Sequence, residues 1–84
     1  MSFDNERLNL RGRLAVKEAD CRNLEMSIQG DLSAVRMLLP PFEPIAEIKA
    51  QQAAVQAVEL AAKHTEYVGL IAEIAAMKKA LGIA

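Results

Sequence analysis

Apolar residues recur along the first half of the chain with heptad spacing. Leu14, Cys21, Ile28 and Val35 fall at one seam position, a, while Phe3, Leu10, Leu24 and Leu38 fall at the other, d. That spacing keeps a single stripe on one face of a helix, as in a coiled coil. Ser2 is placed to cap the helix start, with Asp4 and Glu6 in the first turn opposing the positive end of the helix dipole. The same seam carries Arg7, Lys17 and Asp31. Charges there lower stability and fix register; the plainer reading leaves Arg7 at a frayed end and lets the other two reach solvent with their polar tips. Gly12 and Gly30 lie off the seam. Ile28 and Val35 keep their phase across Gly30, so a continuous helix is expected rather than a break at Gly30-Asp31.

The pattern stops at Leu39-Pro40-Pro41-Phe42-Glu43-Pro44, which holds all three prolines of the chain. Pro40 and Pro41 lack an N–H and push the preceding residue out of the helical region, so the first helix must end near Leu39. Pro44 suits the first turn of a second helix, where its missing N–H is not needed. That helix should run to about Leu81, with Lys78 and Lys79 complementing the dipole and Gly82 as the cap residue.

The second helix is patterned less regularly. Ile45, Ile48 and Val55 share one stripe, and Leu60, Tyr67, Ile71, Ile74 and Leu81 follow another turned slightly around the axis. A stutter between Gln56 and Glu59 would connect the two. A further stripe consists of Ala46, Ala50, Ala53, Ala57, Ala61, His64, Val68, Ala72 and Ala75. Two apolar stripes are more than one partner helix can cover, and small residues allow close approach of another backbone. This stripe is the expected oligomer interface, although alanine also serves simply as the best helix former.

Two long helices joined by a tight turn fold back as an antiparallel hairpin. The expected fold is all-α: a coiled-coil-like two-helix hairpin over residues 1–84, with helices at 3–39 and 45–81 and a proline turn at 40–44, assembling into a helical bundle. Folding about Phe42 would set Leu24 against Leu60, Leu10 against Ile74, Lys17 against Glu66 or Tyr67, and Cys21 against His64. A two-helix rod leaves a flank of every seam residue facing water, and ordering costs roughly 1.5 kcal/mol per residue. A homodimer or higher oligomer is therefore expected, with another protein as a further partner.

Composition agrees. Of 84 residues 52% are apolar, much of that alanine, and the aromatics are Phe3, Phe42 and Tyr67, which points to long helices rather than a packed globule. The formal charge of −1 implies no bulk attraction to nucleic acid or acidic lipid. Cys21 stands alone, the N-terminal residues do not resemble a signal peptide, and no uncharged run is long enough to span a bilayer. A cytoplasmic protein with no membrane association is the expectation.

Candidate chemistry is sparse. There is no glycine-rich phosphate loop, no paired-cysteine spacing and no Glu-x-x-His site. Cys21 opposite His64 could form an activated thiol, or half of a zinc site shared across a dimer. A small core cysteine and an interface histidine are the simpler reading, with Tyr67 as a seam residue. No enzyme, cofactor or metal is expected. A rival reading places Arg7, Arg11, Arg13, Lys78 and Lys79 together at the open end of the hairpin as a nucleic-acid contact, diluted by Asp4, Glu6 and Glu73. No aromatics are interleaved there for base stacking.

The strings Leu10-Arg11-Gly12-Arg13-Leu14-Ala15-Val16-Lys17-Glu18-Ala19, Leu39-Pro40-Pro41-Phe42-Glu43-Pro44-Ile45, Ala57-Val58-Glu59-Leu60-Ala61-Ala62-Lys63 and Ile71-Ala72-Glu73-Ile74-Ala75-Ala76-Met77-Lys78-Lys79-Ala80-Leu81-Gly82 resemble a group of small helical proteins encoded by Mu-like transposable bacteriophages and prophages. The resemblance covers most of the chain, and its Pro-Phe-Glu-Pro turn is the distinctive part. It implies a phage accessory role in a bacterial cytoplasm without an assigned activity, and it brings no catalytic residue. The reading that results is a non-enzymatic, self-associating hairpin that presents a helical surface.

Overall fold

The computed structural model describes residues 3–83. Ser2 and the side chain of Phe3, expected at the first cap and the first seam position, lie outside what it describes. The chain forms α1 over Phe3–Leu38, one turn of 3-10 helix over Ile45–Glu47, and α2 over Ala50–Ala80. The two long helices pack against each other in an antiparallel hairpin 66 Å long and 18 × 15 Å across. α1 passes through Gly30 without a break, as the unbroken heptad phase predicts.

The reversal is longer than the prolines alone suggest. A turn from Pro40 to Glu43 is closed by the Glu43 N–H on the Pro40 carbonyl at 3.4 Å. Pro44, extended at φ −55° and ψ 138°, opens only the single turn Ile45–Glu47. Ile48 then returns to extended geometry, and the Lys49 N–H reaches back to the Leu38 carbonyl at 3.4 Å. The second helix therefore begins at Ala50 rather than at Ile45.

This lengthening moves the register. Arg7 lies beside Leu81, Lys17 beside Glu73, Ser27 beside Lys63 and Asp31 beside Gln56. The chain thus folds back about Pro44, not Phe42. Lys17 meets Glu73 instead of Glu66, and Cys21 packs near Tyr67 instead of His64.

The seam of α2 also differs from the expected stuttered stripe. The sheltered positions are Ala53, Gln56, Leu60, Lys63, Tyr67, Leu70, Ile74, Met77 and Leu81, an uninterrupted alternation of three- and four-residue steps. Val55 and Ile71, assigned to the seam by their hydrophobicity, are exposed. The stutter disappears because two seam positions, Gln56 and Lys63, are polar. They face α1 because Asp31, only 8% exposed, needs partners there.

The apolar core is thin and gathered at the open end. Leu14, Cys21, Ile74 and Leu81 form it, with Leu10, Tyr67, Leu70 and Met77 packed alongside. Among the described residues no large side chain is fully buried. α2 ends in a Schellman motif: the Ile83 N–H bonds the Lys78 carbonyl at 2.8 Å, and the Gly82 N–H bonds the Lys79 carbonyl at 3.1 Å. Gly82 sits at φ +74°, the left-handed region where a Cβ is strained. A Cβ there would meet nothing within 4 Å, so the cost of Gly82→Ala is conformational alone. That variant should lose about 1 kcal/mol, seen as a lower thermal midpoint by circular dichroism. An unchanged midpoint would show that the cap does not support the fold.

Candidate functional site

Two features of the surface follow from this arrangement. The first is a polar layer inside the seam. Gln56 Nε2 donates to Asp31 Oδ1 at 3.1 Å, and Lys63 Nζ lies 2.9 Å from Asp31 Oδ2 while donating to Ser27 Oγ at 2.8 Å. No aligned hydrogen bond reaches Oδ2, so the ammonium acts on it as a neighbouring charge. A shift of one heptad along the seam would leave Asp31 with only one of these two partners, so the layer favours the native register. Two exposed-edge ion pairs lie nearer the open end, Lys17–Glu73 at 2.9 Å and Lys78–Glu18 at 3.7 Å, and contribute little in water. At the open end the Arg7 guanidinium donates to the Leu81 carbonyl at 3.0 Å, tying the start of α1 to the C-terminal, electronegative end of α2. Arg7 is thus part of the fold, not of a frayed end.

The second feature is the back of α2. Once its seam is taken by α1, the positions turned away include Ala54, Ala57, Val58, Ala61, His64, Val68, Ile71, Ala72 and Ala75, all exposed. Between Ala50 and Met77 the exposed charges are Glu59, Glu66 and Glu73, spaced seven apart along one edge. Thr65, the hydroxyl on this back, donates to the Ala61 carbonyl of its own helix at 3.1 Å and so adds little outward polarity. α1 is mixed: its exposed residues include Arg11, Arg13, Asp20, Arg22, Glu25 and Arg36, and also Leu8, Val16, Met26, Leu32 and Met37. The outer charges of the rod are thus frequent on α1 and sparse on the back of α2. The tip is also apolar: Phe42 is 97% exposed and Ile45 86%.

Of the residues expected at an oligomer interface, Ala46, Ala50, Ala57, Ala61, His64, Val68, Ala72 and Ala75 are exposed. Ala53 is not, being 4% exposed in the seam against α1. Val58 and Ile71 belong to the same open side but were missed, because the hydrophobic pattern alone does not say which of two stripes the partner helix takes. The basic residues are divided. Arg7 and Lys78 are engaged by Leu81 and Glu18, and by heptad position Arg11 shares a flank with Lys78 while Arg13 lies on the other.

Among the described residues no group of three or more His, Cys, Asp and Glu side chains is placed to hold a metal ion. Cys21 is buried beside Tyr67, and His64 faces outward. The Glu25 carboxylate, then loss of solvent, then the Cys21 thiol push the Tyr67 phenol above its ordinary value. No helix among the described residues is long and apolar enough to cross a membrane. The chain matches no family model, no curated protein and no solved structure.

Two measurements check this geometry. Asp31→Ala should cost about 1–2 kcal/mol in denaturant unfolding, a figure held down by the part-exposure of Lys63. Replacing Asp31, Gln56 and Lys63 together by leucine should be neutral or stabilising by about 1–4 kcal/mol, with extra amide signals in NMR spectra from slipped registers. A single clean spectrum from the triple variant would remove the register role. For Tyr67, the sole tyrosine, ultraviolet titration should give a native midpoint above 10.0, lowered by Glu25→Gln. The raised value means that the folded state holds the proton more tightly. Its contribution to stability is present below the unfolded midpoint and is lost as pH rises through the folded one. A midpoint indifferent to Glu25→Gln would discard the carboxylate as the cause.

Proposed function

We propose that this chain is a non-enzymatic structural module: a helical hairpin that self-associates, as a dimer or larger bundle, and presents a helical surface to another protein. One observation carries the reading. The back of α2 is apolar over nearly its whole length while the seam beneath it buries few large side chains. A small chain with so thin a core gains stability by covering such a face, since each Å² of apolar surface removed from water contributes about 25 cal/mol. The likeness to small helical proteins of Mu-like phages and prophages supports an accessory role in a bacterial cytoplasm. It names no activity.

The test is sedimentation equilibrium of the chain and of Ala57→Glu/Val68→Glu. Both positions are exposed in the hairpin, so the substitutions leave the seam intact. The parent should sediment as a dimer or larger species at micromolar concentration, and the variant as a folded monomer. A parent that is a folded monomer at that concentration would end the proposal.

A further inference from the structure

We draw no further inference here: the strongest candidate, the exposed apolar back of α2 around Ala57, His64 and Val68, carries nothing, because nothing in the structure shows what covers it.

Discussion

Two helices meet along one line, and this hairpin has to fix that line with few large side chains. Its aliphatic contacts are concentrated where Leu14, Cys21, Ile74 and Leu81 come together. Nearer the reversal Ala53, Gln56, Leu60 and Lys63 meet Asp31 and the half-buried Ile28, Val35 and Leu38 of α1. An apolar zip of small residues could slide by a heptad at little cost. The buried carboxylate resists that slide, because only the native register gives it both Gln56 and Lys63. Burying a charge gains little stability over an apolar pair of the same volume, but removing its partners is expensive. Here that asymmetry favours the native register, and the polar partners it draws inward help decide which side of α2 is left bare.

The prolines made the reversal legible, and the heptads of α1 gave its seam position by position. Gly82 announced the end of α2. The register was not legible, for a local reason: Pro44 permits a helical turn, but nothing in Ile45-Ala46-Glu47-Ile48 shows that the turn stops after three residues and resumes at Ala50. Nor was the seam of α2, because it passes through Gln56 and Lys63 while valines and an isoleucine stay outside. Hydrophobic pattern identifies faces; it does not rank them when a buried acid on the other helix attracts polar residues inward. The pairing of Cys21 with His64 followed from the wrong register and fell with it.

The scarcity of charge on the outer face of α2 follows in part from the same asymmetry. α1 keeps its charges outside, apart from those used in the seam. α2 has few to spare: Lys63 is drawn inward, and Glu59, Glu66 and Glu73 line up along one edge. What remains outward is a helix back poor in charge and small in side-chain volume. A ligand pocket would need walls that a rod of this width does not possess.

The placement of the aliphatic cluster has a kinetic consequence. Most hairpins can close like a zipper from the turn, where contacts span the fewest residues. This one has its weakest, most polar contacts there and its strongest between Leu14 and Leu81, at opposite ends of the chain. Bringing such distant segments together costs about 1.7 kcal/mol more loop entropy than closing a ten-residue loop. The search for the native pairing must therefore be slower than the helical content alone would suggest, and the turn region should be the first part to open.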